Sequence, residues 1–256
     1  MPNAQNSPNK WIVKPQPQSS AALRLVCLPF AGGSSVAYRN WARHLPASIE
    51  LCLVEIPGRG MRLEEPLITD IQQLVESVAQ GILPELDRPF ALFGHSMGAA
   101  VGYELTHFLK EQKEKLPQHL FFSGRGAPHL PDRDEPIHAL PKNEFISKIR
   151  SYNGTPREVL EHAELMDLME PILRADFQVC ETYSYDHHDP LPVPLTALGG
   201  LEDSSAPKAD LEAWQSHTSA RFTVRMFPGG HFYLQNQASG LIHTLVRDID
   251  SVFSLE

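Results

Sequence analysis

Cysteine is scarce in this chain. The three present, Cys27, Cys52 and Cys180, form no CxxC pair and no Cys/His ligand spacing. Both a disulfide framework and a structural zinc site are therefore disfavoured as what holds the fold. Basic residues are outnumbered: 22 Lys and Arg against 31 Asp and Glu give a net charge of −9. Such a chain has no global field to draw a phosphate backbone, so nucleic acid is not an expected partner. No apolar run approaches the roughly 18 residues of a membrane span. The opening MPNAQNSPNK lacks the apolar stretch of a signal peptide, and with reduced thiols this gives a cytoplasmic expectation. Neither GxxxxGK[ST] nor, after the first long strand, GxGxxG occurs, which argues against a phosphate cradle there.

What remains is ordinary globular composition, 42% hydrophobic and 21% charged over 256 residues. That is enough chain for one large domain with a sizeable core. Short apolar runs without polar alternation stand at Leu23–Phe30, Glu50–Ile56, Arg88–Phe93, His119–Ser123, Leu195–Leu198 and Arg221–Phe227. Runs of this kind are strands buried on both faces, as in a parallel sheet. Helical patterns fall between them, at Val36–Leu45, Ile68–Leu83, Met97–Lys115 and Leu234–Val252. In the second, Ile71, Leu74, Val75, Val78 and Ile82 share one face. The alternation predicts an α/β fold with a mostly parallel, doubly wound sheet. Trp11–Lys14 reads as an edge strand, since Pro15 and Pro17 remove ladder donors. Residues 1–10 read as a flexible tail. Residues 125–194 carry no strand pattern but helical stretches near Lys142–Tyr152 and Thr155–Tyr185, which predicts a helical lid inserted into a core of 11–124 and 195–256.

Chemistry concentrates at Gly94-His95-Ser96-Met97-Gly98, between an expected strand and an expected helix. This is G-x-S-x-G in the strand–turn–helix setting of a nucleophile elbow. The glycines let the backbone turn tightly, and Ser96 then projects at a helix N-terminus, where the dipole favours developing negative charge. A serine nucleophile needs a base and an acid that orients it. In the order nucleophile, acid, base, the acid is Asp203 or its neighbour Glu202, just past the run at Leu195–Leu198. The base is His231, in the Gly-rich loop after Phe227. His95, beside the nucleophile, reads as structural, and His187-His188 as a solvated loop. An oxyanion hole requires two backbone donors. Met97 is one; the loop Pro29–Ser35 supplies the other, at Ala31 or at Phe30.

The residues Leu28-Pro29-Phe30-Ala31-Gly32-Gly33-Ser34, Glu55-Ile56-Pro57-Gly58-Arg59-Gly60, Gly94–Gly98, Ser123-Gly124-Arg125, Leu173-Arg174-Ala175-Asp176 and Phe227-Pro228-Gly229-Gly230-His231-Phe232, in this order, resemble the type II (editing) thioesterases of polyketide and nonribosomal peptide synthesis; Gly126, where a bulkier residue is expected, departs from the pattern at the lid hinge rather than in the chemistry. The resemblance implies an α/β-hydrolase. It also implies hydrolysis of acyl or aminoacyl thioesters from the phosphopantetheine arm of carrier domains, which removes misprimed or stalled units. No cofactor of the enzyme's own is implied, because the arm comes with the substrate. A monomer is expected. Phe30, Met169, Phe177 and Phe232 are the expected substrate-binding residues; Arg59, Arg62, Arg125 and Arg133 are candidates for local attraction of an acidic carrier, with surface ion pairs as the alternative. A general carboxylesterase or lipase acting on free esters is the alternative reading.

Overall fold

The structure is a computed structural model that describes residues 9–131, 133–152, 154 and 157–255. Seven strands make one sheet: β1 (Ile12–Val13), β2 (Leu23–Leu28), β3 (Ile49–Val54), β4 (Phe90–His95), β5 (Leu120–Ser123), β6 (Leu195–Gly200) and β7 (Phe222–Phe227). Their order is β1-β3-β2-β4-β5-β6-β7. All pairs are parallel except β1 with β3, where Ile12 faces Val54. The expected edge strand is thus present but only two residues long, as the following prolines dictate. Of the expected tail, 1–8 lies outside the described residues, while the Asn9 side chain donates to the Gly81 carbonyl at 2.9 Å.

The strands read as unbroken apolar runs because both faces are covered. In β2, Leu23, Leu25 and Cys27 point into one cluster with Tyr38, Trp41, Leu241, Leu245 and Ile249. Val26 and Leu28 point the other way, to Leu74, Val78, Ile82 and Ala99. The period of two sends alternate residues to opposite cores. The second core is built by α1 (Ile71–Ile82) and α2 (Met97–Glu111). The Asp70 carboxylate caps α1 by accepting from the Gln73 N–H.

The chain between β5 and β6 forms α3 (Lys142–Ser151), α4 (Arg157–Glu161) and α5 (Ala163–Glu181). The single helical stretch expected over 155–185 is broken at His162, whose backbone is extended. These helices have a small core of their own: Ile137, Phe145, Ile149 and Leu173, with Met169 and Phe177 packed against it. Past β6, a short α6 (Lys208–Glu212), not foreseen in the sequence, seats Leu211; α7 (Ala238–Asp250) closes the chain.

The helical pattern expected over Val36–Leu45 winds instead as a 3-10 helix, Ser35–Arg43. The buried residues there are Ser35, Tyr38 and Trp41, three apart, which is the repeat of that tighter helix. No helix among the described residues is long and apolar enough to cross a membrane.

Candidate active site

The sheet reverses its winding at β2 and β4. The chain runs from β2 outward to β3, then returns past β2 to β4 and continues the other way. The crevice at the strands' carboxyl ends at such a point is the usual ligand site of an open α/β sheet. The expected catalytic residues reach this edge on the loop after β2, the elbow after β4, and the loops after β6 and β7.

β4 ends at His95 and α2 begins at Met97, which leaves Ser96 alone on the corner with φ 53° and ψ −114°. A non-glycine residue rarely takes such a conformation. The corner is tight enough that a Cβ on Gly94 would overlap the Gly98 carbonyl. One on Gly98 would stand 2.6 Å from the Leu28 oxygen and 2.8 Å from that of Pro29. The Ser96 N–H donates to the Ser123 carbonyl at 2.8 Å, which ties the corner to β5.

Asp203 and His231 come together from separate loops, with His231 Nδ1 2.8 Å from Asp203 Oδ2. Asp203 is 5% exposed. Burial pushes its carboxyl up, but the hydrogen bond and charge of His231, with the Ser205 N–H on Oδ1, outweigh this and hold it below the usual range. Glu202, the alternative acid, is exposed, and its backbone N–H donates to the Gly229 carbonyl at 2.9 Å. With Nδ1 committed to Asp203, Nε2 is the nitrogen of His231 left for a reacting hydroxyl.

His95 lies beneath this pair, its ring centroid 4.8 Å from that of His231. Its Nδ1 is 2.8 Å from Ser123 Oγ, which is itself 2.8 Å from Tyr233 Oη. Burial, reinforced by the neighbouring His231, drives the His95 pKa well below the usual imidazole value, so the ring is neutral. Tyr233 was not singled out in the sequence, and Ser123 entered only as the end of the His119–Ser123 run and the first residue of Ser123-Gly124-Arg125, with no role in the site.

In the loop after β2, the Gly33 N–H donates to the Phe30 carbonyl at 2.8 Å, and Gly32 takes φ +73°. The Gly32 N–H is also engaged, by Asp176 at 2.7 Å. The amide of Ala31, next along the chain, stands between these two and Phe30. Met97 opens α2, where helical N–H groups have no intrahelical acceptor.

Phe30 and Phe232 are brought to the site: their rings lie 5.1 Å apart, and each sits edge-on to His95, at 5.8 and 5.6 Å. Met169 and Phe177 are placed elsewhere, in the core of the α3–α5 segment; Phe177 stacks on Tyr152 at 5.8 Å.

The expectation for the arginines needs correction. Arg59 and Arg62 are each 6% exposed. Arg59 is spent on Asp176 and on the Gly33 and Pro57 carbonyls. Arg62 binds Glu65 and the Glu55 carbonyl and lies 3.6 Å over the Trp11 ring. Neither guanidinium can meet a carrier. Arg133 is exposed but bidentate to Asp210, and Arg125 lies 6.0 Å over the Tyr183 ring. Nor is the His187-His188 loop wholly solvated: His188 stacks on His107 at 4.1 Å and reaches Glu104 at 3.5 Å. Among the described residues, no group of three or more His, Cys, Asp or Glu is arranged to hold a metal.

A parallel sheet with a serine elbow on its central strand and a following acid–histidine pair is the α/β-hydrolase arrangement. Residues 23–249 match the thioesterase domain family, and the chain belongs to it. Linear gramicidin dehydrogenase LgrE of Brevibacillus parabrevis is 43% identical over 96% of this chain and 94% of its own length. Gramicidin S biosynthesis protein GrsT of Aneurinibacillus migulanus is 42% identical over 96% of each. The solved type II thioesterase BorB from the borrelidin cluster superposes with a TM-score of 0.87 at 32% identity, over 96% of this chain and 99% of that one. Like BorB, this chain is a type II thioesterase and a hydrolase.

Proposed function

We propose that the chain hydrolyses acyl or aminoacyl thioesters carried on the phosphopantetheine arm of acyl or peptidyl carrier domains, with Ser96, His231 and Asp203 as the triad. Ser96 Oγ attacks the thioester carbonyl as its proton passes to His231 Nε2. Asp203 holds Nδ1 and stabilises the imidazolium that forms. The amides of Met97 and Ala31 bind the oxyanion. The C–S bond breaks and the thiol leaves with the proton from His231. Water, deprotonated by the same nitrogen, attacks the acyl-serine; the acid is released and Ser96 recovers its proton. Only water is consumed, and no resident cofactor is called on.

The observation that carries this reading is the Asp203–His231 hydrogen bond, with the His231 ring 4.8 Å from that of His95, the residue before a serine held at φ 53°. The small apolar wall of Phe30 and Phe232 beside it suits an acyl chain. The reading places the enzyme in the cytoplasm as a monomer, with the inserted helices 125–194 as a lid over the acyl group.

The test compares an acyl group loaded on a carrier domain with the same acyl as its p-nitrophenyl ester. A higher kcat/KM for the carrier thioester, abolished in Ser96→Ala by roughly 10⁶-fold in kcat, is expected. Preference for the free ester would make the protein a general carboxylesterase instead.

A further inference from the structure

Two sequence motifs have no part in the triad: Pro57-Gly58-Arg59-Gly60, and Leu173-Arg174-Ala175-Asp176 on α5. The structure joins them at one point, the loop that supplies the oxyanion donor. Asp176 is 1% exposed. Its Oδ2 accepts from the Gly32 N–H at 2.7 Å and from Arg59 Nη1 at 2.7 Å, while Oδ1 accepts from Arg59 Nη2 at 2.9 Å. Arg59 Nη1 also donates to the Gly33 carbonyl at 3.2 Å. Leu173, three residues earlier and so on the same helical face, presses on the same spot: a Cβ on Gly32 would lie 2.5 Å from its Cδ2. Downstream in the loop, Glu55 accepts from Ser35 Oγ at 2.6 Å.

We propose that Asp176 is a positioning residue for the oxyanion hole, acting through the Gly32 amide, with Arg59 orienting its carboxylate. This deepens the thioesterase reading and rests on it. The Ala31–Gly32 peptide plane is fixed by the bond to Asp176. The adjoining Phe30–Ala31 peptide carries the N–H that must point at the developing oxyanion. A carboxylate, not an amide, is required. Both oxygens are in use, and an asparagine would aim its NH₂ at Arg59 or withdraw the acceptor from Gly32. The ion pair is buried, so leaving either partner alone is costly. Because Asp176 rides on α5, the position of the inserted helices and the geometry of the hole are set together.

A misplaced oxyanion donor weakens transition-state binding rather than substrate binding. The experiment measures kcat and KM on an acyl N-acetylcysteamine thioester, and inhibition by the matching trifluoromethyl ketone, whose adduct with the serine places an oxyanion in the hole. Circular-dichroism melts check folding. Complete loss of a donor costs about 10²–10³-fold in kcat; Asp176→Asn, which displaces one, is expected to cost about 10–100-fold. KM should stay within about twofold, and the ketone should weaken by the same factor as kcat. Should the Asn variant fail to fold, Asp176→Glu keeps the charge beside Arg59 but moves the oxygen that Gly32 uses, and the same readings are expected of it. Wild-type kcat in a folded variant overturns the proposal, as does a loss confined to KM with ketone affinity unchanged. Ser96→Ala in the same assay separates the two levels. If it stays active, the thioesterase mechanism itself fails; if it is dead while Asp176 variants are normal, only the positioning role fails.

Discussion

The sheet and the inserted helices are both helix-rich in their surroundings, yet they are held together differently. Every residue of β2, β3, β4, β5 and β6 is buried, and each strand feeds two cores. The α3–α5 segment relies on one small cluster, and α5 shows Leu165 and Leu168 43% and 49% exposed near its start. Only the later half of α5, from Leu173 and Asp176 to Val179, is anchored to the main body. The lesson is a division of labour. The proposed triad stands on loops of a stiff sheet, whereas the less supported layer keeps Met169 and Phe177 for its own small core.

The sharpest way to break this comparison is at the acid. Asp203→Asn should lower kcat roughly 10⁴-fold, because the imidazole loses its tautomer and orientation. Glu202→Gln, on an exposed side chain, should change it little. The reverse ranking in a steady-state assay would move the orienting role to Glu202.

A smaller effect separates the two layers by packing. Phe122 is fully buried against Trp214, with centroids 4.8 Å apart, and Phe145 is as buried within the α3–α5 cluster. Phe122→Ala should lower global unfolding free energy by about 3–5 kcal/mol in denaturant titration. Phe145→Ala should cost less than half of that, while exposing 142–181 to faster hydrogen exchange. Equal global losses would show that the segment unfolds as one unit with the sheet.

The mildest probe is acid, read one buried histidine at a time. Burial pushes His119 and His217 down to about 4 and His107 to about 3. Unfolded imidazoles take a proton near 6.5, so between about 6.5 and 4 the unfolded chain binds more protons. The stability these neutral rings contribute is complete above that window and falls with pH by about 1.4 kcal/mol per unit for each histidine. All three lie on the sheet side, in α2, before β5 and after α6. Melting temperature should therefore drop from pH 6.5 to 4.5, and His119→Gln should flatten that drop. A pH-independent melt would remove the effect.

Much of this was readable beforehand for a physical reason. Strands buried on both faces leave continuous apolar runs, and an elbow leaves glycines two residues either side of its serine. The Ser96, Asp203 and His231 positions each follow a strand end, which is where loops at a switch point must lie. What could not be read was pairing across distance. Arg59 looked available for a partner because its acceptor, Asp176, lies 117 positions away. An acid on the same face as Leu173 and Val179 of α5 was the available signal, since a carboxylate there must find a buried cation. The break at His162 and the 3-10 winding of Ser35–Arg43 depend on local packing that period alone does not specify.

The corner at Ser96 has a consequence for the protein's evolution. A serine kept in left-handed backbone costs the fold roughly 1–3 kcal/mol, a cost glycine would escape. Selection for thermal robustness alone would thus favour drift toward glycine at position 96 and a more durable but inert scaffold. With Ser96 as the proposed nucleophile, the side chain retained at this positive-φ position sets a ceiling on how far this hydrolase can be hardened without being silenced.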